Sequence, residues 1–160
     1  MIFDKIAAYF EKNVVKKTLS ELSLDKENNS SLVNSNLKHF DFDEINKRIK
    51  TTDTIVFKNS RIIFVEFKKG GTIKDKDFRL KASESIISLI NLLIENNVVE
   101  NICFPTDLFQ LYFVYDRNNI SSTQVIHFGN IERKLTSEYK NLFSKYSIIP
   151  QDRFKKVFDF

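Results

Sequence analysis

A strongly apolar strand–turn–strand segment, residues 54–69, most constrains how this chain of 160 residues folds. Two runs rich in Val, Ile and Phe flank Asn59-Ser60, a pattern that predicts a β-hairpin with a tight turn. A symmetric turn pairs residues whose numbers sum to 119, so that Phe57 lies opposite Ile62. Because side chains alternate along a strand, both faces of the hairpin are apolar, and other elements must cover both sides of its sheet.

Two carboxylates interrupt this apolar pattern. Asp53 precedes the first strand, and Glu66 lies inside the second strand with Lys68 two residues further on the same face. In the symmetric register Asp53 stands opposite Glu66, and like charges at that separation destabilise a sheet. A shared proton or a bound cation would relieve the repulsion, and carboxylates suit Mg²⁺ or Mn²⁺. A β-bulge or an asymmetric turn would instead separate the two acids.

The periodicity of the remaining sequence predicts further helices and strands around the hairpin. We expect helices over residues 1–17, 77–96 and 130–146, strands over 39–43, 108–117 and 123–128, and a polar loop over 20–36. Ile45 and Ile49 indicate a short helix that Asp41 or Asp43 caps. This order predicts an α/β fold, with a mixed central sheet and helices in three layers.

The chain length and composition favour one domain over residues 1–160. We divide it into a core of roughly residues 1–117 and a C-terminal strand and helix extension over residues 118–160. Cys103 is the only cysteine, which excludes an internal disulfide and a cysteine-based zinc site. No apolar run reaches the roughly 18 residues that a membrane helix needs, so we expect a cytoplasmic protein without a membrane partner.

The net positive charge of the chain is concentrated around the hairpin. Residues 51–81 hold eight Lys or Arg and four Asp or Glu, which leaves 17 of each sign elsewhere from totals of 25 and 21. A local basic excess is typical of a protein that binds a polyanion such as nucleic acid. A solvated basic loop gives the same composition, so charge alone does not separate these two interpretations.

The order Asp53, twelve residues, then Glu66-Phe67-Lys68, on adjacent strands followed by a helix, resembles the PD-(D/E)xK nuclease superfamily. The resemblance covers roughly residues 1–117 and implies a restriction-endonuclease-like fold. It implies that Asp53 and Glu66 bind a metal ion together with the backbone carbonyl of Phe67. It also implies that Lys68 is the catalytic base or stabilises charge. Thr52 stands where the family often has a proline.

The spacing of Glu66 and Lys68 is uninformative without its surroundings. The same Glu-x-Lys spacing recurs at Glu132 and at Glu138, where a predicted helix with polar neighbours explains it. Only Glu66 lies in an apolar strand with an acid expected across the hairpin. The resemblance therefore depends on this context.

Two further positions of the family have several candidates in this chain. Many members add a glutamate on the first helix, and here Glu11 is the candidate metal ligand, with Glu21 and Glu44 as rivals. Some members place a polar residue on the helix after the motif, which corresponds to Lys81 or Ser85.

The resemblance implies a Mg²⁺- or Mn²⁺-dependent nuclease that acts on DNA or RNA. Basic residues around the pocket are expected to hold the substrate backbone: Lys69, Lys74, Arg79 and Lys81. A homodimer or a larger complex would supply specificity, or else cleavage is broadly specific. We also expect Glu66→Gln to stabilise the metal-free protein, because it removes the repulsion from Asp53.

Two alternative functions stay open at this level. The first is a weakly active or inactive subunit of nuclease fold that binds nucleic acid or protein, for which the sequence would look the same. The second is an interaction protein that docks through its aromatic tail. Exposure of the tail side chains in the monomer would favour this second alternative, and their burial would argue against it. These side chains are Phe154, Val157, Phe158 and Phe160.

Overall fold

The computed structural model describes residues 1–70, 73–101 and 103–159, and within them an α/β fold with a mixed central sheet. The helices are α1 (Ile2–Asn13), α2 (Leu19–Leu22), α3 (Asp75–Glu95), α4 (Ser122–Glu138) and α5 (Gln151–Phe158), with a 3-10 helix at Arg117–Asn119. The strands are β1 (Lys16–Thr18), β2 (Leu24–Asp25), β3 (Ser30–Ser31), β4 (Lys38–Asp41), β5 (Thr54–Lys58), β6 (Arg61–Lys68), β7 (Phe109–Tyr115) and β8 (Lys145–Pro150).

The central sheet joins an antiparallel half to a parallel half. In the part of the chain that the structure describes, it has six strands in the order β1-β4-β5-β6-β7-β8. Neighbours from β1 to β6 are antiparallel, whereas β6–β7 and β7–β8 are parallel. The short strands β2 and β3 form a separate hairpin beside this sheet.

The central hairpin has the predicted register. Ile55 pairs with Phe64 and Phe57 with Ile62, so the paired residue numbers sum to 119. Asn59 and Ser60 both have positive φ, at 51° and 56°, which is the backbone of a type I′ turn. Such a turn matches the twist of the flanking strands and thereby fixes the pairing.

Helices cover both faces of the sheet, as the apolar alternation predicts. One core packs side chains of α1, α3 and α4 against one face of the hairpin, where Ile55 and Phe64 point. The other core packs α2 and α5 against the opposite face, where Val56 and Val65 point. This arrangement is compatible with a three-layer domain.

The C-terminal third of the chain corrects two predictions. Residues 123–128 belong to α4 and not to a strand, because Ser121 and Gln124 form a capping box that starts a helix. The predicted helix over 130–146 ends at Glu138, and residues 145–150 form β8 instead. The buried side chains Phe128, Ile131 and Leu135 have helical spacing, whereas Ile126 is exposed to solvent.

The N-terminal third also differs from the prediction. The first helix ends at Asn13, and residues 16–18 form the edge strand β1. The polar segment 20–36, predicted as a loop, contains α2, β2 and β3. The predicted short helix at Ile45 and Ile49 is wrong, since that segment forms turns. The strands predicted over 39–43 and 108–117 are confirmed as β4 and β7.

The aromatic tail packs onto the body of the protein. Phe154 and Phe158 are buried against the sheet, whereas Val157 on the same helix is 40% exposed. Phe160, like Gly71 at the predicted end of the hairpin, lies outside the described residues. Burial of these two phenylalanines argues against docking through an exposed tail. Of the helices in the described part of the chain, none is long and apolar enough to cross a membrane.

Candidate functional site

The predicted site residues meet at one end of the central hairpin. Because β5 and β6 are antiparallel, the start of β5 lies beside the end of β6. The last residue pair of the β5–β6 ladder is Thr54 with Val65. Asp53 and Glu66 are the next residues beyond this pair, one on each side of the hairpin. The topology therefore brings Asp53, Glu66 and Lys68 to the same end of these two central strands.

Glu66 is a buried carboxylate held between two lysines. It is only 2% exposed, and it lies on β6 beside Phe113 of β7. Its Oε1 is 3.1 Å from Nζ of Lys68, and its Oε2 is 3.0 Å from Nζ of Lys81. A buried carboxylate is costly unless it is paired, so these two contacts explain how the fold tolerates Glu66.

The contact between Lys81 and Glu66 is a charge contact and not an aligned hydrogen bond. The ammonium of Lys81 donates its hydrogen bond to the backbone carbonyl of Thr51. Among the described atoms, Oε2 of Glu66 has no hydrogen-bond partner. This buried oxygen therefore keeps an acceptor position that the described protein atoms leave unused.

Helix α3 fixes the backbone that leads into Asp53. Side chains one helical turn apart on α3 bind three consecutive residues: Glu84 accepts from Lys50 N, Lys81 donates to Thr51 O, and Ser85 accepts from Thr52 N. The buried N–H of Thr52 thus has a partner, which explains why a proline, which has no N–H, is absent here. Ser85 acts on the backbone and not on the carboxylates.

Asp53 is hydrogen-bonded to the neighbouring strand and lies close enough to Glu66 for the two charges to interact. Its Oδ2 accepts a 2.6 Å hydrogen bond from the backbone N–H of Phe67. Burial, and next the charge of Glu66, raise the pKa of Asp53 well above its usual value, while Lys81, this hydrogen bond and Lys68 oppose the shift. The repulsion expected from the sequence is therefore present, and the two lysines compensate part of it.

The raised pKa of Asp53 predicts how a neutral substitute changes stability with pH. An unfolded aspartate titrates at about pH 3.9, so the folded protein loses stability as pH rises from there through the raised pKa of Asp53. Asp53→Asn removes this loss and keeps an acceptor for the N–H of Phe67. We expect the variant and the wild type to be equally stable near pH 3.5 and the variant to be more stable at pH 8 without metal.

Urea unfolding of both proteins across this pH range, with a chelator present, measures the difference. Comparing the two proteins removes the effect of other titrating groups, which they share. A stability difference that does not grow with pH would contradict the assignment of a raised pKa to Asp53.

Lys68 carries a positive charge near neutral pH. Burial lowers the pKa of Lys68, but the charge of Glu66 and the hydrogen bond between them outweigh burial and raise it above its usual value. The sequence left open whether Lys68 is a base or stabilises charge. Its raised pKa favours charge stabilisation in the metal-free protein, because a protonated amine cannot accept a proton from water.

Two cavities open beside Asp53. One, of about 430 Å³, lies between the β2–β3 hairpin and the end of β6, with Lys26, Lys69 and Phe67 in its wall. The other cavity, of about 140 Å³, is lined by Lys17 and Asp41 among others. Asp53 lines both cavities, whereas Glu66 lines neither.

Sequence reasoning missed Lys26, Lys17 and Asp41 as neighbours of the site. Asp41 is buried and forms an ion pair with Lys17, although we predicted it only as a helix cap. The available signal was its position between Phe40 and Phe42 in a strand, where a buried acid needs a partner. Lys26 gave no signal, because the segment around it was predicted to be a loop.

The candidates for the first-helix glutamate have other partners. Glu11 is exposed and forms an ion pair with Lys16, 2.7 Å away, at the edge strand β1. Glu21 accepts from Thr18 in the capping box of α2, although it also lines the smaller cavity. Glu44, which lines the same cavity, is paired with Lys47. The structure brings none of the three into contact with Glu66.

The predicted nucleic-acid-binding residues are distributed over different places. Lys69 lines the larger cavity and donates to Ser30 on β3. Lys81 lies inside the site, as described above, and not on its rim. Lys74 is exposed before α3. Arg79 forms two contacts with the carboxylate of Glu138 on α4, so its charge is already compensated.

The candidate metal ligands at this site are oxygen atoms. Within residues 1–70, 73–101 and 103–159, no group of three or more His, Cys, Asp or Glu side chains is arranged to hold a metal ion. The resemblance implies two carboxylates and one backbone carbonyl as ligands. Such oxygen donors are the type that Mg²⁺ and Mn²⁺ prefer.

Comparison with known proteins gave no match to any protein-family model, curated protein or solved structure.

Proposed function

We propose that this protein is a Mg²⁺- or Mn²⁺-dependent nuclease with a restriction-endonuclease-like fold, which hydrolyses phosphodiester bonds in DNA or RNA. One observation carries the proposal: the buried carboxylate of Glu66, near the end of β6 and close to Asp53, has an oxygen that no described atom hydrogen-bonds. Buried acids with unused acceptor positions are costly in a purely structural role. A functional role accounts for this cost.

The donor set fits a hard divalent cation. Asp53, Glu66 and the carbonyl of Phe67 would supply oxygen ligands, and a bound cation would offset the effects of burial and of the Glu66 charge, which raise the pKa of Asp53. When bound, such an ion would polarise the phosphate and lower the pKa of a water molecule. Asp53 and Glu66 would hold it, as the resemblance to PD-(D/E)xK nucleases implies.

The remaining side chains supply charge and orientation. In hydrolysis, the oxygen of water bonds to phosphorus while one P–O ester bond breaks, which yields a phosphate monoester and an alcohol. Lys68, protonated beside Glu66, would stabilise the negative charge that develops on the phosphate. Helix α3 holds Asp53 in position through residues 50–52, so it supplies preorganisation.

Substrate binding is proposed for the larger cavity. Lys69 and Lys26 line it next to Asp53, and lysines of this kind bind phosphates of the nucleic-acid backbone. The basic excess around the hairpin supports a polyanionic substrate. Because Arg79 is paired with Glu138, we assign it no direct substrate contact in this proposal.

A second candidate function is that of an inactive, nuclease-like subunit that binds nucleic acid. The observation that favours it is the burial of Glu66, which is 2% exposed and has a lysine beside each carboxylate oxygen. A structural charge cluster would have the same contacts. Metal binding and metal-dependent cleavage separate this candidate from the enzyme.

The test is cleavage of labelled single-stranded DNA, duplex DNA and RNA with Mg²⁺, with Mn²⁺ and with a chelator. We expect cleavage of at least one substrate that depends on the metal. In parallel, Mn²⁺ at about 100 times its Kd should stabilise the protein by about 2.7 kcal/mol in thermal unfolding. If no substrate is cut and Mn²⁺ leaves the unfolding curve unchanged, the enzyme proposal fails and the binding subunit takes its place.

A further inference from the structure

Lys81 occupies a position that none of the other basic residues near the site shares. Its side chain is only 15% exposed, and it extends from α3 to the carboxylate of Glu66 and to the carbonyl of Thr51. Lys68, the other lysine at Glu66, is 34% exposed and comes from the same strand as the acid. Lys81 therefore brings a positive charge from a different layer into the least accessible part of the site.

The geometry of this contact would allow another cation to replace the Lys81 ammonium at Glu66. The aligned hydrogen bond of the ammonium goes to Thr51, while its 3.0 Å approach to Oε2 of Glu66 satisfies charge only. Loss of the contact with Glu66 would leave the bond to Thr51 intact. A cation that approached Oε2 would therefore compete with Lys81 for one carboxylate oxygen and would not have to break its hydrogen bond.

We infer that the ammonium of Lys81 is the counter-ion of Glu66 in the metal-free protein, and that a divalent cation binds by displacing it from Oε2. This inference rests on the proposed function and deepens it, since it names the group that sets the metal affinity. The ammonium and the cation cannot both contact one oxygen closely, because like charges repel strongly at that distance. Lys81 thus stabilises the metal-free site and weakens metal binding at the same time.

The test is the affinity for Mn²⁺, which is measured from the electron paramagnetic resonance signal of the free ion, without any substrate. Lys81→Met removes the charge and keeps much of the apolar side chain, while Lys81→Gln also keeps a donor for the carbonyl of Thr51. We expect both variants to bind Mn²⁺ about tenfold more tightly than the wild type, because the competing charge is lost. Both should melt at a lower temperature than the wild type without metal, and this difference should shrink at saturating Mn²⁺.

Lys76→Met is the matched control. Lys76 is exposed on the same helix, and its replacement changes the net charge by the same amount. Its Mn²⁺ affinity should stay within about twofold of the wild-type value if the effect of Lys81 is local.

Each outcome decides between two proposals. If the wild type binds Mn²⁺ and both folded Lys81 variants bind it equally or more weakly, the inference about Lys81 is overturned and the nuclease proposal stands. If neither the wild type nor any variant binds Mn²⁺, the inference about Lys81 is overturned, and the cleavage assay described above decides the nuclease proposal. Should Lys81→Met fail to fold, the same comparison is made with Lys81→Gln, and circular dichroism establishes that the variant is folded.

Discussion

Replacing Glu66 with glutamine should reduce metal-dependent cleavage by on the order of 10²–10³-fold. The amide keeps the shape of the side chain but lacks the charge that holds a divalent cation beside Asp53. Lys68→Ala should cause a loss of similar size, because it removes the ammonium 3.1 Å from Oε1 of Glu66. Initial rates on the best substrate found for the wild type, at saturating Mn²⁺, give the measurement.

Glu138→Gln is the control for this experiment. Glu138 has the same Glu-x-Lys spacing as Glu66, with Lys140 two residues further on. It lies on α4, is partly exposed and is paired with Arg79. The cleavage rate of this variant should stay within a few-fold of the wild-type rate. If Glu66→Gln retained full activity, Glu66 would be structural and the proposed active site would be wrong.

The contacts of Glu66 also reverse an expectation from the sequence. Repulsion from Asp53 alone predicts that Glu66→Gln stabilises the metal-free protein. The structure adds Lys68 and Lys81, which lose their shared counter-ion when Glu66 becomes neutral. Since breaking a buried ion pair leaves an uncompensated charge, we now expect this variant to be less stable than the wild type. Asp53→Asn becomes the stabilising substitution instead.

Phe154→Ala should destabilise the protein by about 3–5 kcal/mol, the usual cost of emptying a buried phenylalanine site. Phe154 is fully buried. Its ring centroid is 5.7 Å from that of Phe67 and 4.5 Å from that of Phe158. Phe67 is the neighbour of Glu66 on β6, so this packing also supports the strand that carries the site. Urea unfolding at 25 °C, followed by circular dichroism, measures the loss.

Val157→Ala is the matched control on the same helix. Because Val157 is 40% exposed, its truncation should cost less than about 1 kcal/mol. Equal effects of the two substitutions would mean that α5 does not contribute to the core. The interpretation of the tail as a docking surface would then regain support.

The part of the fold that the sequence predicts best is the central hairpin. Its register follows from one local feature, the symmetric turn at Asn59-Ser60, and the predicted pairing is confirmed. Because both faces of the hairpin are apolar, the side-chain pattern alone does not exclude a shift by one residue, and the turn fixes the pairing. Local rules are sufficient here because both strands are adjacent in the chain.

The segments predicted wrongly are those where two local patterns compete. Val125, Ile126 and Phe128 are β-branched or aromatic, which suggested a strand, but the capping box at Ser121 starts a helix. The helix predicted over 130–146 includes residues 145 and 146, but residues 145–150 form β8 because β7 offers a parallel partner. A local cap decided the first case, whereas tertiary pairing, which a single sequence does not display, decided the second.

The site shows the same division between local and tertiary information. The proximity of Glu66 and Lys68 follows from their spacing on one strand, and the nearness of Asp53 follows from the hairpin. The contacts of Lys81 with Glu66 and Thr51 depend on where α3 crosses the sheet, so the sequence offered Lys81 only as one of several basic residues. The exposure of Glu11 likewise depends on the neighbouring edge strand.

The two edges of the central sheet have a consequence for the behaviour of the protein at high concentration. An open edge strand invites pairing with other chains, and short length, lysine and proline are the usual protections. At one edge, β1 has three residues and two of them are lysines. At the other edge, β8 begins with Lys145 and ends with Pro150, which cannot donate a ladder hydrogen bond. Both ends of the sheet thus disfavour fibre growth by strand addition.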